Sequence, residues 1–170
     1  MDKIIFLDRD GVINRCPKDH EYITKWEDFE FLDHVPKAIK ILNDDNYKVI
    51  VITNQRCVAL HIITLEEINT LHDKLNAALD ESGAHIDAFY VCTHDVDVCK
   101  CRKPKIGLFL MAELDFFVNK RQSYMIGDSE CDVIAGQRYG VKTIFIGKEN
   151  IGDLQCNSLY DAARLISRKD

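Results

Sequence analysis

At 170 residues, with 46% hydrophobic residues and a net charge of -6, the chain has the length for one domain with a sizeable core. The acidic balance argues against a nucleic-acid surface, which needs a basic stripe, and no apolar run approaches the ~20 residues of a membrane span. Seven cysteines, odd in number and unevenly spaced, argue for a reducing compartment with some thiolates on metal; the short N-terminal apolar segment does not make a signal peptide, so a cytoplasmic location is expected.

The first predicted strand, near residues 3–8, carries Ile4-Ile5-Phe6-Leu7 into Asp8-Arg9-Asp10-Gly11. Side chains alternate along a strand, so Asp8 and Asp10 point to one site while Gly11 lets the chain turn away. Two carboxylates this close repel unless a cation or a shared proton intervenes. Oxygen ligands suit magnesium. Residues 14–35 read as an irregular flap beside that site. A helix is expected near 36–46, with Pro36 in its first turn, and a strand near 48–53 ends in Thr53-Asn54. Thr64 and Glu67 form a capping box for a helix near 64–82. Its apolar positions Leu65, Ile68, Leu71, Leu75, Ala78 and Leu79 recur at helical spacing, and Gly83 follows as a stop. A strand near 87–92 leads into a cysteine-rich stretch, and Lys103-Pro104 precedes a helix near 106–118. The strand near 123–127 ends in Gly127-Asp128, and Asp132 lies in the helix near 130–139. A strand near 142–146 and a helix near 158–168 complete the series.

This alternation predicts one α/β domain over residues 1–170: a Rossmann-like parallel sheet with helices on both faces. Ligands of such sheets bind beyond the carboxyl ends of the strands, where Asp8, Asp10, Thr53 and Asp128 fall. No segment is long enough for a separate cap domain, so the site is expected to be open and to take a small or terminally phosphorylated substrate.

Cys92-Thr93-His94 and Cys99-Lys100-Cys101 make a C-x-H-x4-C-x-C pattern. Cys92, His94, Cys99 and Cys101 suit a closed tetrahedral zinc site, which is structural because it leaves no open position. The alternative is a group of thiols beside a surface histidine. A zinc-stabilised loop here would present Arg102 and Lys103, with Lys105 as a basic neighbour. Cys16, Cys57, Cys131 and Cys156 are assigned to packing or loops. His20, His34, His61, His72 and His85 belong to no motif and are expected to be solvated or structural.

Asp8-x-Asp10-Gly11, Thr53, Lys103 and Gly127-Asp128 with Asp132 resemble, in order, the four motifs of the haloacid-dehalogenase-like phosphohydrolases, over nearly the whole chain. Cys92 through Gly107, with C-x-C-R-K-P-K-x-G, and Thr53-Asn54-Gln55 resemble the histidinol-phosphate phosphatases and the D-glycero-D-manno-heptose 1,7-bisphosphate 7-phosphatases. Gly107, Thr64-Leu65-Glu66-Glu67 and Asp28-Phe29-Glu30-Phe31 look more like the heptose enzymes. The resemblance implies Asp8 as nucleophile and Asp10 as general acid and base. It implies magnesium on Asp8, the Asp10 carbonyl and Asp128, and phosphate oxygens on Thr53 and the backbone near Asn54. Lys103 would neutralise charge in the transfer, and Arg102 would clamp substrate. Asp132 would orient a metal water or Lys103, or cap its helix. A monomer acting on a phosphorylated small molecule, a sugar phosphate in chemistry, is the implied form, without nucleic-acid or membrane partners. Arg56-Cys57 and Leu60-His61 stand where the heptose enzymes usually carry Ser-Gly and Arg-Gly. Arg56 either supplies the missing cation or is an exposed loop residue. A histidinol-phosphate phosphatase and a catalytically weak phosphate-binding protein are the competing readings.

Overall fold

The computed structural model describes residues 1–18 and 21–168; His20 lies outside them. Among the described residues six strands form one sheet: β1 (Ile4–Leu7), β2 (Lys48–Asn54), β3 (Ala88–Cys92), β4 (Tyr124–Gly127), β5 (Lys142–Ile146) and β6 (Leu154–Cys156), in the order β3-β2-β1-β4-β5-β6. Every pairing is parallel. The helices are α1 (Val35–Asp44), α2 (Leu65–Asp80), α3 (Gly107–Ala112), α4 (Glu130–Tyr139) and α5 (Leu159–Ser167).

The two-residue period of β1 divides the core. Ile5 and Leu7 pack with Leu42 of α1, Leu75 of α2 and Ile166 of α5. Ile4 and Phe6 pack with Phe109 of α3 and Tyr139 of α4. β1 is therefore buried on both faces, as a central parallel strand must be. Phe6 meets Phe109 at 4.8 Å and Tyr139 at 5.8 Å between ring centroids, both edge-on, and full burial of such a ring stabilises by about 1.5–3 kcal/mol. Strand order reverses between β2 and β4 on either side of β1, which opens a crevice beyond their carboxyl ends.

Most predicted elements stand where the pattern puts them. Pro36 lies in the first turn of α1, and Thr64 and Glu67 close a reciprocal capping box on α2. Three elements differ. β6 escaped the sequence reading because it is a three-residue edge strand in a polar stretch. α3 stops at Ala112 rather than near 118. The chain there leaves the helix to pair with the N-terminus: Asp2 N donates to Phe117 O at 2.7 Å and Asn119 N to Asp2 O at 2.9 Å. The described part of the flap is tied down, not loose. Arg15 N donates to Glu30 O at 2.8 Å and Leu32 N to Ile13 O at 3.0 Å. Trp26 stacks on Phe29 at 5.1 Å, and Phe31 meets Phe29 edge-on at 5.3 Å.

Candidate active site

Asp8 directly follows β1, and its N–H still pairs with Ile126 O at 3.0 Å. The strand's alternation therefore carries past Leu7. Asp8 falls on the side of Phe6, toward α3 and α4, and Arg9 falls on the side of Leu7, toward α2.

On the first side, Lys103 Nζ lies 2.9 Å from Asp8 Oδ1 and 2.7 Å from Asp132 Oδ1. It also donates to Ile52 O at 2.8 Å. Burial works against the charge on Lys103, but Asp132 and Asp8 outweigh it and hold the amine protonated. Burial pushes Asp8 up to about 7, opposed by Lys103 and reinforced by Asp132. Asp128 is pushed up to about 6, by burial first and by Asp132 next. Carboxyls that resist ionisation side by side are the expected signature of a site shaped for a cation.

Carboxylate oxygens of Asp8, Asp128 and Asp132 lie within 4.8 Å of one another. Asp132 has other work. Its Oδ2 accepts from Ser129 N at 3.2 Å and Ser129 Oγ at 2.6 Å, closing the start of α4, while Oδ1 faces Lys103. Of the sequence alternatives for Asp132, the cap and the contact to Lys103 occur together. Asp8 and Asp128 remain as the carboxylates open to a cation. Gly11, at φ +85°, is the cradle's floor: a Cβ there would stand 1.9 Å from Asp128 Oδ2. These oxygen donors fit magnesium.

Asp10 is held from the other side. Arg9 Nε and Nη2 donate to Oδ1 at 3.2 and 3.0 Å, and Nη2 also reaches Oδ2 at 3.1 Å. Asn14 Nδ2 donates to Oδ1 at 2.9 Å and Gln55 Nε2 to Oδ2 at 3.0 Å. The Gln55 amide also donates to Thr53 Oγ1 at 2.9 Å, so one side chain links Thr53 to Asp10. The sequence alone pointed to no role for Arg9 and to Gln55 only as part of its motif; both hold the Asp10 carboxylate. Arg9 had a readable signal: an arginine inside a buried strand end needs an acid beside it. His72 was expected to be solvated or structural; it is buried beneath Arg9. Burial and the Arg9 charge push it down to about 3.

The Asn54 side chain is committed elsewhere than phosphate. Its Oδ1 accepts from Lys103 N at 3.0 Å and its Nδ2 donates to Lys103 O at 3.2 Å, fixing the lysine's backbone to the end of β2. Arg102 keeps a guanidinium nitrogen, Nη1, without a hydrogen-bond partner among the described residues. Lys105 Nζ donates to Cys99 O at 2.7 Å and braces the cysteine loop.

That loop brings Cys92, His94, Cys99 and Cys101 together. The sulfur separations are 3.3, 3.4 and 3.6 Å, and Cys101 Sγ stands 3.2 Å from His94 Nδ1. Thiolates about 2.3 Å from one tetrahedral ion would lie about 3.8 Å apart. The cluster fits zinc with a small expansion. Arg56 Nε pairs with Asp95 Oδ1 at 2.5 Å, which ties the loop after β2 to the cysteine loop. Cys57 is fully buried, and His61 adopts φ +57°.

A family profile described as polynucleotide kinase 3 phosphatase matches residues 3–144. A Haemophilus ducreyi protein named D-glycero-beta-D-manno-heptose-1,7-bisphosphate 7-phosphatase is 37% identical over 176 aligned positions, covering 94% of this chain and 95% of its own. A Helicobacter pylori protein of the same name is 39% identical, covering 82% and 80%. The crystal structure of D,D-heptose 1,7-bisphosphate phosphatase from B. bronchiseptica, complexed with magnesium and phosphate, superposes with a TM-score of 0.90 at 27% identity, covering 99% of both chains. At this identity and extent, the chain belongs to the haloacid-dehalogenase-like phosphoric monoester hydrolases, in the family of histidinol-phosphate and D-glycero-D-manno-heptose 1,7-bisphosphate 7-phosphatases.

Proposed function

We propose that this chain removes the 7-phosphate of D-glycero-D-manno-heptose 1,7-bisphosphate by way of an aspartyl-phosphate on Asp8. The observation that carries the reading is the placement of Asp8: held by Lys103, within reach of the Asp128 carboxylate, and followed by an Asp10 whose carboxylate is held by Arg9, Asn14 and Gln55.

The Asp8 carboxylate attacks phosphorus in line, and the bond from phosphorus to the sugar oxygen breaks. Asp10 gives its proton to the departing alkoxide. It then takes a proton from the water whose oxygen attacks the acyl phosphate, releasing inorganic phosphate and restoring Asp8. Lys103 neutralises charge on the transferring group, and the Thr53 hydroxyl and the backbone at Asn54 hold its oxygens. The planar fork of the half-buried Arg102 suits the recognition of a second phosphate or of sugar oxygens. Magnesium bound by Asp8, the Asp10 carbonyl and Asp128 would offset the repulsion between carboxylate and phosphate dianion. Zinc on Cys92, His94, Cys99 and Cys101 would hold the loop that presents Arg102 and Lys103. The chain acts as a cytoplasmic monomer in this reading. Seven cysteines, odd in number and unevenly spaced, support a reducing compartment, and among the described residues no helix is long and apolar enough to cross a membrane.

Phosphate release from heptose bisphosphate, histidinol phosphate and 4-nitrophenyl phosphate tests the substrate. The heptose bisphosphate should give the highest kcat/KM, and a preference for histidinol phosphate would replace this reading with its nearest rival.

A further inference from the structure

His72 lies on α2 with 2% of its surface exposed. Its ring stacks on Phe89 of β3, at 4.4 Å between centroids and 12° between planes. Its Nε2 stands 3.3 Å from Arg9 Nη1. A guanidinium can only donate, so Nε2 is the acceptor, and the neutral ring carries its proton on Nδ1. Nδ1 has no hydrogen-bond partner among the described residues. The ring therefore gives up one hydrogen bond and keeps the one to Arg9.

Arg9 is itself fully buried. Its Nε and Nη2 edge is used on Asp10, and Nη1 points back to His72. Guanidinium is rigid and planar. An acceptor on Nη1 therefore fixes the plane in which the opposite edge meets the carboxylate. If His72 only filled space against Phe89, an apolar side chain of similar size would serve. It would also leave a charged donor buried and unpaired, which costs more than the loss of packing.

We infer that His72 is a positioning residue for proton transfer, accepting from Arg9 so that the guanidinium holds the Asp10 carboxylate in register with the leaving oxygen. The inference rests on the reading of Asp10 as acid and base. His72 does not touch substrate, so its effect travels through Arg9 and appears where the proton matters. That is greatest for alkoxide leaving groups and least for nitrophenolate, which departs without one.

The test is kcat/KM across aryl and alkyl phosphates of rising leaving-group pKa, with magnesium, for the native enzyme, His72→Leu, His72→Gln and Asp10→Asn. His72→Leu should lose about tenfold or more on alkyl phosphates and about twofold or less on 4-nitrophenyl phosphate. Inhibition by inorganic phosphate should stay unchanged. His72→Gln, whose carbonyl oxygen can accept from Arg9, should recover most of the loss. Equal losses on both leaving groups, or no advantage of Gln over Leu, would overturn the role. A leaving-group effect in Asp10→Asn but not in His72→Leu overturns the positioning role alone. Its absence from Asp10→Asn overturns the reading of Asp10, and this inference with it. Side-chain nitrogen NMR of the native enzyme needs no folded variant: His72 should be neutral with its proton on Nδ1, and the opposite tautomer or an imidazolium refutes the acceptor geometry.

Discussion

Lys103 Nζ stands 2.9 Å from Asp8 Oδ1, so the loop after the cysteine cluster supplies the counter-charge for a carboxylate at the end of the first strand. Asn54 holds that lysine through both backbone groups, and Asp132 faces it from α4. The arrangement is fixed before any substrate arrives. Asp8→Asn keeps an oxygen for Lys103 but loses the anionic nucleophile. Turnover should fall by at least about 10³-fold, with an unchanged circular-dichroism spectrum. Near-normal turnover by the folded variant would end the covalent mechanism.

Gly11→Ala should be nearly as damaging, for a steric reason. The new Cβ would fall 1.9 Å from Asp128 Oδ2, at a φ of +85° that alanine resists. Asp128 must move, so the magnesium concentration needed for half-maximal activity should rise about tenfold or more. Titrating activity against magnesium checks this; an unchanged curve would mean that Asp128 does not hold the ion.

The cysteine loop should carry one zinc per chain by elemental analysis. Metal removal should lower the melting temperature and weaken substrate binding, because Arg102 and Lys103 directly follow Cys101. Magnesium dependence should persist, since oxygen and sulfur donors select different ions. A native protein free of zinc, with all three cluster thiols reacting freely, would remove the basis for this assignment.

The loop after β2 should set substrate choice rather than catalytic competence. Arg56 is spent on Asp95, and His61 occupies a left-handed conformation at φ +57°. His61→Gly alone should stabilise the protein by about 1 kcal/mol in urea unfolding. Replacing Arg56-Cys57 by Ser-Gly together with Leu60-His61 by Arg-Gly frees Asp95 and puts a cation at position 60. The preference for heptose bisphosphate over 4-nitrophenyl phosphate should then rise about tenfold, as one charge-assisted contact of roughly 1.5–3 kcal/mol allows. An unchanged ratio in a folded variant would take the loop out of substrate recognition.

Acid should destabilise the fold through His72. Burial and Arg9 hold the folded histidine down to about 3, while the unfolded one titrates near 6.5. Its contribution is whole above pH 6.5 and is lost as the pH falls toward 3, because only the unfolded chain takes up the proton. The loss is on the order of 1 kcal/mol per pH unit. Urea unfolding at pH 7.5 and 5.0 should show a larger drop for the native protein than for His72→Gln. Equal drops would mean that the histidine is protonated in the fold.

The parallel sheet, its alternation with helices and the positions of Asp8, Asp10, Thr53, Lys103 and Asp128 were legible because each rests on local pattern. A two-residue period places side chains on faces, and a strand's carboxyl end is where polar residues interrupt an apolar run. The cysteine cluster was legible because its four side chains lie within ten residues. β6 and the early end of α3 were not, because both depend on pairing with distant chain rather than on their own composition.

The sequence by itself determined the candidate carboxylates, the strand end that carries them and the metal-suited loop, since an apolar run broken by acids and four close-spaced soft side chains are local patterns. Tertiary structure alone decided what each group does with its second partner. Asn54 turned to the Lys103 backbone, Asp132 served cap and lysine together, Arg56 closed on Asp95, and Arg9 was set between Asp10 and His72. Those choices join residues from separate helices and loops, and buried charges take whichever partners the packed faces bring within hydrogen-bond reach.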